Sequence, residues 1–436
     1  MHMTDLLYAR AQMGLSLGFH IVFAAAGVAL PVLMVLSDWK ARRTGDADYV
    51  KLSQKLAKGT AILFAVGAVS GTMLSFELGL LWPEFMGRYG EVIGLPFSLE
   101  GVAFFTEAIF LGIYLYGRER VSPNLHLFSG VMVALSGAAS AFFVTLVNVF
   151  MNDPSGFVAT AEGPTNIEPL VAMFSPGWPY QTAHVLLSCY QASAFAMAGI
   201  HAFVLLRHPG AAFHRKALSV ALPLACVTAL LQPLVGDVSA KHVAKAQPVK
   251  LAAMEGHFET ARGAPLRLGG VEVPKALSIL AFGDPDAEVK GLNEFPRDTW
   301  PPVAKVHVAF QVMVGTGSLM ALLALVTLVY RWRKKAWPSG RKMMRAWLVS
   351  GPLGWVALEA GWLVTEWGRQ PWIVRGVMRT AEAVTPVPHL AAPFWTFTAV
   401  YLFLGAVVVS LLLSQVAGTL PGREEKHVEG GEAHAH

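Results

Sequence analysis

Residues 363–372 read LVTEWGRQPW and close an apolar run of roughly 22 residues, long enough to cross a bilayer. Glu359, Trp362 and Glu366 follow one another at spacings of three and four, which places both carboxylates and the indole on one stripe of a helix. A carboxylate inside a membrane span is unfavourable unless it is paired, hydrated or bound to a metal centre. We therefore interpret this stretch as the rim of a buried redox site.

The composition indicates a membrane protein. The chain has 436 residues, of which 54% are apolar and only 14% charged, whereas soluble domains carry about a quarter charged residues. The net charge of +5 comes from Lys and Arg between the apolar runs, which signals topology rather than nucleic-acid binding. The two cysteines, Cys189 and Cys226, lie inside apolar runs and form no CxxC or CxxCH motif, so the sequence does not indicate a disulfide scaffold, a thiolate cluster or a covalent c-type haem.

The apolar runs alternate with basic connections. Lys and Arg concentrate after the first, third, fifth and seventh runs, whereas residues 151–181 contain none. The positive-inside rule then places the N-terminus outside and the C-terminus in the cytoplasm. The predicted fold is an all-α, polytopic transmembrane helical bundle with nine spans. They lie at about 13–36, 56–82, 95–117, 124–150, 182–207, 215–236, 303–330, 344–366 and 393–414.

Four segments follow from this pattern. Residues 1–236 are predicted to form transmembrane helices 1–6, and residues 237–302 form the long hydrophilic loop, which falls on the outside. Residues 303–420 form helices 7–9, and residues 421–436 form a polar cytoplasmic tail whose composition predicts disorder.

Polar side chains within the spans share one depth, the outer half of the predicted bilayer. Imidazole, thioether and carboxylate groups are ligands that haem iron accepts, and a single protein ligand leaves a position free for oxygen. Arg369 and Gln370 are candidate donors to haem propionates, and Trp362 is a candidate bridge between adjacent macrocycles. The side chains at the shared depth are His20, Glu100, Glu107, His184, Met313 and Glu366.

Simpler interpretations exist for each of these residues. A lone membrane histidine or Met313 is ordinarily a packing residue, and Trp362 also suits an interface anchor. Intramembrane carboxylates such as Glu77 and Glu359 are equally typical of a proton-coupled transporter. A non-enzymatic dihaem b cytochrome would need paired histidines, which these spans lack. The shared depth is what favours a common site over the separate packing interpretations, and a transporter would need neither this clustering nor the GRQPW loop at 368–372.

Motifs along the whole chain carry a family resemblance. They are Arg10 with His20, FELGLLWPEFM at 76–86, SLEGVAFFTEAIFLG at 98–112, His184, KLAAMEGHFET at 250–260, VMVG at 312–315 and GRQPW at 368–372. Together they resemble subunit I of the cytochrome bd-type quinol oxidases, in the branch with a short outer quinol loop. One departure is Gln311, where some members carry an arginine.

The resemblance implies a set of haem ligands. His184 and Met313 would be the axial ligands of a low-spin haem b. His20 and Glu366 would be ligands of two high-spin haems, one a haem b and the other a haem d or a further haem b. Which of the two ligands serves which haem stays open.

The resemblance also implies routes for protons and for the substrate. Glu100 and Glu107 would lie on the proton route to the oxygen-reducing centre. Lys250 and Glu255 would contact the quinol, at the outer loop.

The implied function is that of a respiratory enzyme. The chain would be the haem-containing subunit of a terminal oxidase in the bacterial inner membrane, a quinol:O2 oxidoreductase. It would oxidise ubiquinol or menaquinol at the outer side and reduce O2 to water with cytoplasmic protons, which generates a membrane potential. The implied partners are a second membrane subunit and, in some members, a small single-span subunit, with no nucleic acid.

Overall fold

The computed structural model describes residues 3–160, 163–268 and 271–419. In these ranges it has nine helices that are long and apolar enough to cross a membrane, so the predicted all-α bundle with nine spans is confirmed. The predicted tail at 421–436 lies outside the described residues, and the orientation of the termini stays a prediction.

The described ranges contain the following α-helices. They are α1 (Met3–Thr44), α2 (Ala47–Leu81), α3 (Pro83–Tyr116), α4 (Pro123–Asn152), α5 (Pro169–Met173), α6 (Trp178–Arg207), α7 (Ala212–Ala246), α8 (Pro248–Glu255), α9 (Ala276–Phe282), α10 (Val303–Lys334), α11 (Arg341–Ser350), α12 (Leu353–Arg369), α13 (Thr380–Ala383) and α14 (Ala391–Ala417).

Short antiparallel hairpins and two 3-10 turns fill the connections. The strand pairs are β1 (Val158–Thr160) with β2 (Gly163–Thr165), β3 (Ala261–Arg262) with β6 (Glu288–Val289), β4 (Leu266–Leu268) with β5 (Val271–Val273), and β7 (Trp372–Val374) with β8 (Met378–Arg379). The 3-10 turns are Leu292–Glu294 and Arg297–Thr299.

The basic connections meet at one end of the bundle, which we call the basic end. Lys216 Nζ at the start of α7 lies 2.6 Å from Asp46 Oδ2 in the connection between α1 and α2. Lys55 Nζ donates a hydrogen bond to the carbonyl oxygen of Gln415 near the end of α14, at 3.3 Å. The opposite end, which we call the site end, carries the connection that follows α12.

Small residues let the central helices approach closely. Alanines on α6 and α7 are fully buried against each other, and Trp347 of α11 fills the space beside them. A Cβ atom at Gly354 would lie only 2.5 Å from Ala192 Cα, so α12 and α6 touch through their backbones. Packing through small side chains is typical of helices in membranes.

The structure differs from the predicted spans in three places. The eighth span is two helices, α11 and α12, because Pro352 cannot donate a helical hydrogen bond and Gly351 meets Gly199 of α6. Helix α7 continues to Ala246, so the hydrophilic segment at 237–302 begins as helix. Helix α3 begins at Pro83 rather than near residue 95, which places Glu107 past its middle, toward the basic end.

Candidate functional site

A cavity of about 1240 Å³ lies inside the bundle, between helices α1–α4, α6–α8, α10 and α12. Pockets for single small ligands usually measure about 300–1,000 Å³, so this cavity has room for more than one large planar group. Every predicted site residue lines it. These residues are His20, Glu100, Glu107, His184, Lys250, Glu255, Met313, Trp362, Glu366, Arg369 and Gln370.

The end of α12 holds a carboxylate between two donors. Arg369 Nη2 donates to Glu366 Oε2 at 2.6 Å, and Gln370 Nε2 donates to Glu366 Oε1 at 3.2 Å. Thr380 Oγ1 holds Gln370 in turn, by donating to its Oε1 at 2.9 Å. Arg369 and Gln370 thus both donate to Glu366, and their role as donors to haem propionates stays a prediction. Arg369 Nε is buried and has no hydrogen-bond partner among the described residues, so this N–H group is free to donate to a bound group.

The contact between His20 and Ser70 favours one tautomer of the imidazole. Its Nδ1 lies 2.9 Å from Ser70 Oγ, and Ser70 Oγ donates its own hydrogen to the carbonyl oxygen of Val66 at 2.8 Å. Ser70 therefore accepts from Nδ1–H, which leaves the lone pair on Nε2, as a metal-bound imidazole requires. A Cβ atom at Gly71 would lie 3.2 Å from His20 Cε1, so the glycine lets the ring lie against α2.

His184 and Met313 also lie against helix glycines. Gln232 Nε2 of α7 lies 3.3 Å from both ring nitrogens of His184 and donates to its carbonyl oxygen at 3.1 Å. A Cβ atom at Gly236 would lie 3.3 Å from His184 Cε1, and one at Gly361 would lie 3.0 Å from Met313 Sδ. Larger residues at these glycines would displace the candidate ligands.

The two carboxylates of α3 face α4. Ser140 Oγ donates to Glu100 Oε1 at 2.9 Å. Glu107 is buried two turns further along, where a Cβ atom at Gly137 would lie 3.3 Å from its Oε2. Glu100 and Glu107 therefore lie on the same face of α3, and both border the cavity.

The stripe on α12 packs against α1. A Cβ atom at Gly18 would lie 3.6 Å from both Glu359 Oε2 and Trp362 Cζ3. Glu359 and Trp362 therefore lie on one face of α12, as their spacing predicts. Trp362 lines the cavity inside the bundle. Glu359 Oε1 is buried and lacks a hydrogen-bond partner among the described residues.

Helix α8 contains a buried lysine, Lys250, that lines the cavity. Lys250 Nζ donates to Asn152 Oδ1 at 2.9 Å, and its stem crosses Gly368, where a Cβ atom would lie 2.7 Å from Lys250 Cε. Burial lowers the pKa of Lys250 to about 7, and the nearby charges of Arg369 and Arg375 contribute to this shift. The amine therefore exchanges its proton near neutral pH.

Glu255 ends the same helix. Burial raises the pKa of its carboxyl group to about 7. Its Oε2 is buried and has no hydrogen-bond partner among the described residues. Gly256 follows with a φ of +62°, which turns the chain immediately after the carboxylate. A buried acid with an unused acceptor is suited to binding a hydroxyl group and taking its proton.

The donor set fits haem better than a bare metal ion. Within ranges 3–160, 163–268 and 271–419, no three His, Cys, Asp or Glu side chains gather to hold a metal ion. The donors are instead distributed singly around a large, mainly apolar cavity. Haem iron needs only one or two protein ligands, because the macrocycle supplies the others. The lone pair on His20 Nε2 is available to haem iron, and the unpartnered Arg369 Nε is available to a haem propionate.

Several residues of the site escape sequence reasoning. Ser70, Gln232 and Asn152 bond to His20, His184 and Lys250 across 50, 48 and 98 residues of chain. Nothing local marks them, because polar residues of these types are common in apolar helices and only packing shows their partners.

The chain matches a described family over nearly its whole length. The family model for "Cytochrome bd terminal oxidase subunit I" matches residues 8–419. The "Putative cytochrome bd menaquinol oxidase subunit I" of Bacillus subtilis (strain 168) is 38% identical over 429 residues, covering 94% of this chain and 96% of that protein. The "Cytochrome bd ubiquinol oxidase subunit 1" of the same organism is 30% identical over 442 residues, covering 95% of this chain and 94% of that protein.

A solved structure agrees with these relatives. The chain is similar to one in the structure of the bd oxidase from Geobacillus thermodenitrificans, with a TM-score of 0.88 and 40% identity. The likeness covers 94% of this chain and 98% of that one.

The tautomer of His20 gives a first test. We expect Ser70→Ala to weaken haem binding about 10- to 100-fold, because the imidazole loses the acceptor that keeps its lone pair on Nε2. The measurement is haem content per protein after purification and haem titration. Ser98→Ala on α3 is the control, since the Ser98 hydroxyl donates to the carbonyl oxygen of Gly94 in its own helix and Ser98 does not line the cavity. Equal haem content in both variants would contradict the role of Ser70.

Proposed function

The chain belongs to the cytochrome bd terminal oxidase subunit I family, and we propose that it is the haem-containing subunit of a membrane quinol oxidase that reduces O2 to water. The observation that carries this proposal is that one cavity is lined by all the predicted haem, quinol and proton residues, which come from distant parts of the chain. A solute transporter would need no such gathering of imidazole, thioether and carboxylate ligands.

Four residues are the proposed haem ligands. His184 with Met313 would hold a low-spin haem b, and His20 and Glu366 would serve two high-spin haems, of which one is a haem b and the other a haem d or a further haem b. Bound haem supplies the one-electron transfer and the oxygen reduction that side chains alone cannot perform. The protein's own part is to fix the His20 tautomer through Ser70 and to hold Glu366 in place.

The quinol is proposed to bind at α8. The unpartnered Glu255 Oε2 accepts the hydrogen of a quinol hydroxyl, and Lys250 donates to a quinol oxygen. Since the pKa values of both groups lie near 7, each can change its proton during turnover at neutral pH. The site lies toward the site end of the bundle, so the protons released from quinol leave on that side.

Protons for water formation are proposed to come from the opposite side. The positive-inside rule assigns the basic end to the cytoplasm. Glu107, nearer that end, would receive protons first, and Glu100, held by Ser140, would receive them next. Moving one charge across the bilayer is worth about 2.3 kcal/mol per 100 mV, so this uptake conserves energy as a membrane potential.

The working unit is proposed to contain further chains. Helices α10 and α14 present long apolar faces that the described part of this chain leaves uncovered. The family pairs its subunit I with a subunit II. We propose that the complex contains such a second membrane subunit, with a small single-span subunit in some forms, in the bacterial inner membrane, and that it uses ubiquinol or menaquinol.

The quinol site predicts a bell-shaped pH profile. Glu255 accepts protons only above about pH 7, and Lys250 carries its charge only below about pH 7. The kcat/KM for quinol should therefore peak near neutrality. We expect Glu255→Gln to lower kcat/KM about 100-fold and to remove the rise on the acid side, while Lys250→Met removes the fall on the alkaline side.

This profile is measured as oxygen uptake by the purified complex at varied quinol concentration and pH. Glu288→Gln is the matched control, because that carboxylate is exposed in β6 of the same outer segment. Both variants should keep the haem spectrum of the parent. An unchanged pH profile in Glu255→Gln would show that this carboxylate is not the proton acceptor.

The proton route predicts a separate loss. We expect Glu107→Gln to lower oxygen uptake about 100-fold or more with quinol KM unchanged, because the amide cannot pass a proton. Oxygen uptake and membrane potential are measured together in vesicles. Glu91→Gln, exposed on the same helix, is the control. Parental turnover and potential in Glu107→Gln would remove this residue from the route.

A further inference from the structure

We propose, building on the proton route of the proposed function, that Asp38, His126 and Tyr114 form the proton-uptake site at the basic end that supplies Glu107. All three are buried where α1, α3 and α4 meet. None of them has a part in the haem or quinol sites described above.

Asp38 is a buried carboxylate that contacts two partly exposed arginines. Its side chain is 3% exposed, and Arg118 Nη2 lies 3.4 Å from Oδ1. Arg42 Nε lies 3.5 Å from Oδ2. The side chains of Arg42 and Arg118 are 27% and 29% exposed, so they connect the carboxylate with water. The two guanidinium groups keep Asp38 as a carboxylate, and a carboxylate within reach of water is a base that can accept a proton.

His126 and Asp38 must share a proton. His126 Nε2 lies 3.0 Å from the carbonyl oxygen of Tyr114, which can only accept, so Nε2 keeps its hydrogen. Nδ1 of a neutral ring then carries a lone pair and faces Asp38 Oδ2 at 3.4 Å. Two acceptors in this contact need a proton between them, on the ring or on the carboxyl group. The His126–Asp38 pair therefore shares one proton, which it can pass to a neighbouring acceptor.

The interface of α3 and α4 leads from this pair to Glu107. The helices run antiparallel, and a Cβ atom at Gly130 would lie 2.8 Å from Tyr114 Cε2, just as Gly137 borders Glu107 Oε2 at 3.3 Å. Tyr114 and Glu107 are two turns apart on α3, a distance of roughly 10 Å along one face. The uptake pair and the relay carboxylate therefore lie on one continuous helix interface.

Polar groups for a water-assisted transfer are present along this interface. Tyr114 Oη is buried and has no hydrogen-bond partner among the described residues. A buried hydroxyl in that condition is usually satisfied by an internal water. Ser129 and Ser136 precede the two glycines on α4, and Ser129 Oγ donates to the carbonyl oxygen of His126 at 2.7 Å. A proton needs only water and these hydroxyls to pass between the pair and Glu107.

Other titratable groups at the basic end are less suited to this role. Asp46 and Asp48 are half-buried and both lie 2.6 Å from Lys216 Nζ. His201 Nδ1 and His214 Nδ1 lie 2.9 Å apart on α6 and α7, away from the interface that carries Glu107. The buried histidine His201 therefore serves as a matched control.

The test uses the whole oxidase complex in proteoliposomes, with quinol-driven oxygen uptake and membrane potential as readouts at varied pH on the side of the basic end. We expect Asp38→Asn and His126→Gln to lower turnover about tenfold or more, and increasingly as that pH rises, because proton supply becomes limiting. The haem spectrum and quinol KM should match the parent. Tyr114→Phe, which removes only the hydroxyl, should lower turnover in the same direction, and His201→Gln should leave it unchanged.

Three results would overturn the inference. Parental turnover at every pH in all three variants would exclude the cluster from the route, and an impaired Glu107→Gln measured alongside would leave the proposed function intact. Loss of haem from all three variants would make the cluster a structural support. If the Asp38→Asn and His126→Gln variants do not assemble into the complex, parental turnover in Tyr114→Phe is sufficient to overturn the inference. Parental behaviour of Glu107→Gln as well would instead reject the proposed proton route.

Discussion

The ion pair between Glu366 and Arg369 is the contact on which the site end depends. Arg369 is 4% exposed and reaches Glu366 Oε2 at 2.6 Å and the carbonyl oxygen of Trp372 at 3.1 Å. In surroundings of low polarity, either charge alone would be strongly unfavourable, so each fixes the position of the other. The pair therefore holds the end of α12 and the start of the β7–β8 hairpin in one arrangement, with the carboxylate at the cavity wall.

The bundle is divided between tight packing and open space. On one side α6, α7 and α12 touch through alanines and glycines, so that Gly354 meets Ala192 backbone to backbone. On the other side the same helices, with α1 to α4, surround the large cavity. His20, His184 and Met313 each lie against a glycine of a neighbouring helix, which positions single donors at the wall. Rigid helices with small contact residues are what a site with fixed ligands requires.

The sequence allows the nine spans and the intramembrane candidates to be predicted, because long apolar runs and rare intramembrane polar groups are local signals. Lys250 and Glu255 are indicated only by the family resemblance. It does not show the break at Pro352, since a proline in an apolar run is compatible with a kinked continuous helix. The bonds from Arg369 and Gln370 to Glu366 are likewise not evident from the sequence, because they depend on how the loop folds back, and the contact of both residues with haem propionates stays a prediction. Asp38 and His126 look like ordinary residues at helix ends until the structure brings them together.

The central claim is that this cavity holds haem through the named side chains, and the absorption spectrum of the purified complex with Met313→Leu tests it most directly. Leucine nearly conserves the volume of methionine but offers no sulfur to iron. The account predicts that the low-spin haem band of the parent is lost or becomes high-spin in the variant, while the remaining haem bands persist. A parent without tetrapyrrole iron, or a variant spectrum identical to that of the parent, would contradict it.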